Sequence, residues 1–287
     1  MASENRPPRK FELPSESFAE LADRLDAHVE YAASRGVNTS ISIQNGFHFK
    51  TQPSEHEVVD LGEQQETFAA SQAKLAVVAF KLVQGSLDKD TRHDIIFMLR
   101  ISDNGAFIRQ KRNIGHEVVD FARSELNINT NILIIRDDET SYVGKTTARD
   151  SLKMFLKTVQ IAHKDADFFH DIRDALSDNT SKYGVRARLL PNTGVYLMNK
   201  TGDYFGQDDP DIGEAVHHDV GVLATIGKNK RRLAYSITSS AQSRMGAWNA
   251  DRLNQLAATT LIEAVGGTPK SALMSALGAV ATKILPK

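Results

Sequence analysis

Two stretches decide the fold class: GEAVHHDVGVLATI at residues 213–226 and LAYSITSSAQSRMGAWNADRLNQLAATTLIEA at residues 233–264. Both are read as helices. With that reading the chain is mainly α, a helical core with two short β-hairpins and extended N- and C-terminal arms. Just upstream, Lys200 to Gly213 is rich in Gly and Asp and reads as a loop. Before it, Val185–Leu190 and Val195–Met198 flank Pro191-Asn192-Thr193-Gly194, which predicts a hairpin. Downstream, Gly266-Gly267 breaks the chain, and Thr268-Pro269 opens a last helix. Leu273, Leu277, Val280, Ala281 and Ile284 give that helix one apolar face.

Towards the N-terminus the periodicity changes several times. Residues 1–14 read as a flexible arm. Ser15 opens a helix to about Arg35, with Phe18, Leu21, Leu25 and Val29 at helical spacing and Gly36 as its stop. Ile41 and Ile43 alternate with polar residues up to Asn45-Gly46, and Phe47 and Phe49 alternate beyond it, the pattern of a hairpin. A long helix is predicted over 63–84, ended by Gly85. Asp88 or Asp90 caps another, residues 102–114 are polar and basic with a turn at Asn104-Gly105, and 116–126 is again helical. Ile132 to Ile135 suits a buried strand or a helix segment. Thr147 or Asp150 opens a helix, and another covers 165–177. The domain reading is an arm at 1–14, a helical core at 15–265 with two lobes split near 127–147, and a C-terminal arm at 266–287.

The chain has 287 residues, no Cys, and 35 Lys plus Arg against 36 Asp plus Glu. A disulfide framework, a thiol nucleophile and Cys-ligated metal are therefore excluded. Apolar and charged content are ordinary for a folded chain. The near-zero net charge excludes a histone-like polycation, while local basic patches remain. Met1 to Lys10 lacks the apolar run of a secretory signal, and no stretch of about 18 apolar residues exists. A cytoplasmic setting is the expectation.

Several constellations bear on function. Gly144-Lys145-Thr146-Thr147 resembles the end of a phosphate-binding loop, where backbone N–H groups and Lys hold phosphate. Glu139, however, stands where a glycine is needed. The competing reading makes Thr146 or Thr147 a helix N-cap. In His217-His218-Asp219, adjacent histidines on a helix point about 100° apart and cannot easily share a metal, whereas His218 and Glu214 could pair. His163 and His170 could share a helix face with Asp167 near them, but nothing completes a metal site. For nucleophilic catalysis, neither Gly-x-Ser-x-Gly nor a Ser-x-x-Lys in persuasive context is found. No catalytic residue, cofactor or metal is assigned, and the chain is read as a non-enzyme.

Basic residues cluster three times: Arg109, Lys111 and Arg112; Lys182, Arg186 and Arg188; and Lys228, Lys230, Arg231 and Arg232, followed by Arg244. Tyr183, Tyr235 and Trp248 lie in or near them. Cations neutralise phosphates and aromatics stack bases, so these residues are the candidate nucleic-acid contacts.

Lys182-Tyr183-Gly184-Val185-Arg186 is similar to a short stretch in coat proteins of flexuous plant-virus filaments, and the arms flanking a helical body resemble viral nucleoproteins. That resemblance implies RNA coating, polymerisation through the arms and a place in the virion. The functional expectation is therefore a self-associating coat or nucleocapsid protein binding RNA without regard to sequence. The alternatives are an enzyme or regulator binding a phosphorylated small molecule at Gly144–Thr147, and an assembly subunit without nucleic acid.

Overall fold

The computed structural model describes residues 12–47, 58–85, 87–112, 114, 117–128, 132, 144–178, 184–189, 194–206, 212–225 and 230–270. Its centre is a five-stranded antiparallel sheet in the order β2-β1-β7-β6-β5. The strands are β1 (Asn38–Asn45), β2 (Val58–Leu61), β5 (Val195–Gly206), β6 (Glu214–Thr225) and β7 (Arg232–Ala241). A second, two-stranded ladder pairs β3 (Thr67–Phe68) with β4 (Lys145–Thr146).

One face of the large sheet is covered by the first and last described helices, α1 (Ser15–Ala33) and α9 (Arg244–Ala264). Leu21 and Leu25 of α1 and Leu261 and Ile262 of α9 meet Ile41, Ile43, Leu233, Tyr235 and Ile237 there. The opposite face packs on a helical lobe. It comprises α2 (Ala73–Gln84), α3 (Lys89–Arg100), α4 (Asn104–Arg112), α5 (Glu117–Ser124), α6 (Ala148–Ala162) and α7 (Ala166–Ser177). The sheet meets it through Met198, Val220, Val222 and Ala234. Successive strand residues point to opposite faces, so one strand serves both cores. Helix α2 is buried at every position from Ala73 to Phe80, which makes it the hub of the lobe. Each large side chain there contributes about 1.5–3 kcal/mol of burial.

The architecture is thus mixed α/β, not mainly α, and the correction lies in the two stretches that opened the sequence reading. Residues 214–225 form β6, and 233–264 divide into β7 and α9. Strand β6 lies inside the sheet and is buried on both faces, so its apolar residues run together without period-2 alternation. Such a run cannot be told from a buried helix by periodicity.

Other expectations also shift. The supposed loop at 200–213 is largely strand, because β5 runs to Gly206. Residues Gly184–Arg188 form a short helix, α8, not a hairpin arm. Its start is set by a residue far away in sequence: buried Asp219 accepts from the Val185 N–H at 2.6 Å. Asn45-Gly46 does end β1, which pairs with β2 on one side, Gln44 opposite Val58, and with β7 on the other, Asn45 opposite Leu233. Phe49 lies outside the described residues. The helix expected over 63–84 begins only at Ala73, after β3 and a single 3-10 turn at Ala70–Gln72. Asn104-Gly105, expected as a turn, opens helix α4 instead.

Several local signals form as read. Gly36 follows α1 with φ +70°. Asp88 caps α3 by accepting from Thr91 N–H, and Thr147 caps α6 by accepting from Asp150 N–H. Most of 129–143, most of the N-terminal arm and residues 271–287 lie outside the described residues.

Candidate active site

The 3-10 turn that precedes α2 carries Ser71, and Lys74 follows one helical turn later on the same side. Lys74 Nζ lies 3.0 Å from Ser71 Oγ and 2.8 Å from Asn104 Oδ1. Ser102, just before α4, donates its hydroxyl to Ser71 Oγ at 2.7 Å. On its other side Ser102 Oγ accepts from Lys200 Nζ at 2.9 Å. A continuous chain therefore runs Lys74–Ser71–Ser102–Lys200. Three short sequence patterns supply it: Ser71-Gln72-Ala73-Lys74, Ser102-Asp103-Asn104 and Lys200-Thr201-Gly202.

The fold holds these pieces tightly. β5 is the outer strand of the sheet, and its Gly202 lies against the turn that carries Ser71. A Cβ at Gly202 would sit 3.0 Å from the Ser71 backbone nitrogen, closer than ordinary packing allows. Gln72 fastens the same contact by donating to the Lys200 carbonyl at 3.1 Å. Behind the turn, buried His218 on β6 contacts the Phe68 carbonyl through Nε2 at 2.7 Å and Thr238 Oγ1 through Nδ1 at 3.1 Å. Glu214 accepts from the Phe68 N–H at 2.9 Å. Two residues in the first half of β6 thus grip the segment leading into Ser71. Ala70 and Ser102 hold left-handed backbone, at φ 44° and 58°, without being glycine. Strain of this kind persists only where the surroundings enforce it.

Burial sets the protonation of the site. It brings Lys74 down to about 8, against a smaller upward pull from Asp103. Lys200 is fully enclosed and comes down to about 7, through burial first and then the charge of Lys74. Asp203 and Asp219 pull it back up. His218 falls to about 4 through burial and is neutral at physiological pH. A neutral His218 donates from Nε2 to the Phe68 carbonyl and accepts from Thr238 at Nδ1. Asp219 is raised to about 6 by burial, against bonds from Asn199, Val185 N–H and Tyr235 OH. Near pH 8, then, much of Lys74 is a neutral amine that can take a proton from the hydroxyl beside it, and a second amine–hydroxyl pair completes the line. Among the described residues no group of His, Cys, Asp or Glu is arranged to hold a metal ion.

The residues singled out from the sequence fall elsewhere. Arg109 ion-pairs with buried Asp94 at 2.6 Å, which lies beneath α4. Lys111 is buried and Arg112 is exposed at the end of the same helix. Arg186 points inward to Asn199 Oδ1 and the Leu176 carbonyl, and Arg188 lies on the same short helix α8. Lys230 and Arg232 line one pocket of about 260 Å³ with Arg173 and Tyr196. The Arg231 backbone N–H closes the β6–β7 connection onto Thr225. Arg244 opens α9. Lys182, Tyr183 and Lys228 lie outside the described residues. The structure brings Lys230 and Arg232 together but spreads the rest over α4, α8 and the start of α9.

Tyr235 is wholly buried and donates to Asp219, so it presents no face to a base. Gly144-Lys145-Thr146 forms the strand beside β3, with the Gly144 carbonyl accepting from Ala69 N–H. Thr147 is the helix cap. His217, His218 and Asp219 sit on a strand, and the expected His218–Glu214 pair is replaced by the shared grip on Phe68.

Sheet, helical lobe and the linked serines and lysines set a serine hydroxyl beside an amine, an arrangement suited to serine acyl transfer. The chain belongs to the beta-lactamase enzyme family: that family's model matches residues 95–268, more than half of the sequence. The match takes in the Ser102 and Lys200 patterns, while Ser71 and Lys74 stand ahead of it. Solved structures agree in fold. A beta-lactamase from Streptomyces albus G is 17% identical with a TM-score of 0.63, over 85% of this chain and 99% of that one. A class A beta-lactamase from Mycobacterium abscessus is 15% identical with a TM-score of 0.60, over 86% and 100%. A beta-lactamase from Burkholderia phymatum is 16% identical with a TM-score of 0.59, over 87% and 99%. No curated protein sequence gives a significant match.

These findings overturn the functional expectation. The chain is of an enzyme family, not a non-enzymatic coat protein, and the phosphate-loop and assembly-subunit alternatives fall as well. The stretch likened to filament coat proteins is, in its described part, the start of α8, anchored by Val185 on Asp219 and Arg186 on Asn199. RNA and filament partners and the virion setting followed from that likeness and go with it, and the cytoplasmic expectation drawn from Met1 to Lys10 falls with the family assignment. No helix among the described residues is long and apolar enough to cross a membrane.

Proposed function

We propose that the chain hydrolyses β-lactams through an acyl-enzyme formed on Ser71. The observation that carries this is the unbroken line Lys74 Nζ–Ser71 Oγ–Ser102 Oγ–Lys200 Nζ, with contacts of 3.0, 2.7 and 2.9 Å. Neutral Lys74 takes the Ser71 proton as Oγ attacks the lactam carbonyl. The Ser71 backbone N–H, held against Gly202, and the N–H that follows Gly202 on β5 stabilise the oxyanion. The carbonyl–nitrogen bond then breaks. Ser102 gives its proton to the leaving nitrogen, and Lys200, hydrogen-bonded to Ser102, restores it.

Asn104 Oδ1 holds the Lys74 amine in line. In the second half, water attacks the ester and Ser71 leaves as its hydroxyl. Once the proton that Lys74 took from Ser71 has passed by way of Ser102 to the now neutral Lys200, Lys74, the base nearest to Ser71 Oγ among the described residues, takes a proton from the attacking water and returns it to the departing Ser71 oxygen. A chromogenic cephalosporin tests the reading. Hydrolysis by the wild type that disappears in Ser71→Ala supports it, and hydrolysis that survives Ser71→Ala refutes it.

A further inference from the structure

Away from the catalytic cleft, three strands lay a row of side chains across the sheet. Tyr196 of β5 stands opposite Ala224 of β6, and Ala224 stands opposite Arg232 of β7. Met198 and Val222 form part of the next row and point to the same face, since residues two apart on a strand do so. Helix α7 lies over these rows and turns Phe169 and Arg173, one helical turn apart, towards them. Ser177, a turn further on, joins its hydroxyl to that of Tyr196. Small Ala224 between two long side chains leaves a hollow of about 260 Å³ beneath α7. Its floor is apolar, made by buried Met198 and Val222 with Phe169 at the side. Its mouth is cationic, with Lys230 exposed and Arg232 half-buried. Asp174 sits on Arg173 at 2.8 Å, while the lining itself holds three cations and no carboxylate. Burial pulls Arg232 below its ordinary value, yet a guanidinium stays protonated in a protein. From Tyr196 to Gly202 the strand runs about 20 Å at ~3.3 Å per residue, so the hollow is separate from the Ser71 line.

We propose that this hollow is a second binding site, for a small amphipathic anion: a carboxylate or sulfonate head held by Lys230 and Arg232, with an alkyl or aryl tail against Met198, Val222 and Phe169. Burying the tail supplies affinity, and the charged mouth fixes which end enters. At about 30 Å³ for each water-sized unit, 260 Å³ holds a ligand of about nine or ten non-hydrogen atoms. A bare anion leaves the apolar floor uncovered, and a cationic amphiphile meets three like charges. The site uses no residue of the Ser71–Lys200 line, so it stands or falls apart from the acyl-transfer reading.

The test is titration calorimetry of the full chain with octanoate. Acetate supplies the head without the tail, and octylammonium supplies the tail with the opposite charge. One octanoate should bind per chain with Kd on the order of 0.1 mM, an ordinary efficiency for about ten non-hydrogen atoms. Both controls should bind more than about tenfold more weakly. Ala224→Trp fills the hollow and should abolish binding. Lys230→Glu changes an exposed position, so it leaves the fold intact, and it should weaken octanoate about fivefold by reversing one charge at the mouth. Four results would each overturn the proposal: no saturable octanoate binding by the wild type, either control within about tenfold of octanoate, Lys230→Glu within about twofold of wild type, or a folded Ala224→Trp within about twofold of wild type.

Discussion

Ser102 donates its hydroxyl to Ser71 at 2.7 Å while accepting from Lys200 at 2.9 Å. One small side chain therefore joins two lysines that would otherwise repel each other across the cleft. Ser102 holds left-handed backbone to do so. Replacing it by Ala leaves Ser71 and Lys74 in contact but breaks the proton path to the leaving nitrogen. Ser102→Ala is expected to lower kcat/KM by about 10²–10⁴, the usual worth of general acid–base transfer. A steady-state assay with a chromogenic cephalosporin measures it, and a loss below fivefold would remove Ser102 from the mechanism.

Gly202 is the tightest steric constraint at the site. Gly202→Ala would push β5 away from the Ser71 nitrogen and widen the oxyanion position. The expected loss in kcat is about tenfold, because relieving that contact takes a few tenths of an ångström, short of the roughly 1 Å that costs about 10²-fold at a reacting centre. Melting temperature should change far less than activity. Calorimetry on the variant, run beside the kinetic assay, separates the two.

Lys74 and Lys200 give the pH profile a direction. Acylation needs Lys74 neutral, so its rate should climb with pH through about 8. Stability should climb too. Both lysines titrate lower in the folded chain, at about 8 and about 7, than their ordinary 10.5. Between pH 7 and 10.5 the unfolded chain holds protons that the folded chain has shed, so their contribution to ΔG of unfolding rises with pH. Below pH 7 the full cost of burying the two charges is present. Denaturation by urea at several pH values checks the sign.

The same cost predicts a trade of stability against activity. Lys200→Met removes a wholly buried ammonium and keeps its apolar stem. The variant should be inactive and yet melt about 2–6 °C higher. An inactive variant that melts lower would mean that the Lys200 contacts to Ser102 and the Thr201 carbonyl outweigh the burial cost.

Much of the local structure was legible: the Asp88 and Thr147 caps, the stop at Gly36 and the helices at 15–35 and 165–177. The sheet was not, for a physical reason. β6 is buried on both faces, so its apolar run carries no strand period, and β5 is polar because it borders the cleft. The site was also written in the sequence, in three patterns of three or four residues separated by long stretches of chain. Reading 63–84 as one helix hides Ser71 within it, although the residue stands at the helix start where a side chain can be presented. Reading 200–213 as loop removes the strand that gives Lys200-Thr201-Gly202 its meaning. Only the fold brings the three patterns to one point. The basic clusters were real as sequence. Arg109 and Arg186 are spent on Asp94 and Asn199, an outcome that charge counting does not foresee.

The most direct measurement of the central claim is intact-protein mass spectrometry after brief mixing with benzylpenicillin, followed by peptide mapping. The account predicts a transient gain of one penicilloyl group, located on Ser71 and absent from Ser71→Ala. A penicilloyl group on any other residue, or unchanged label in Ser71→Ala, would contradict it.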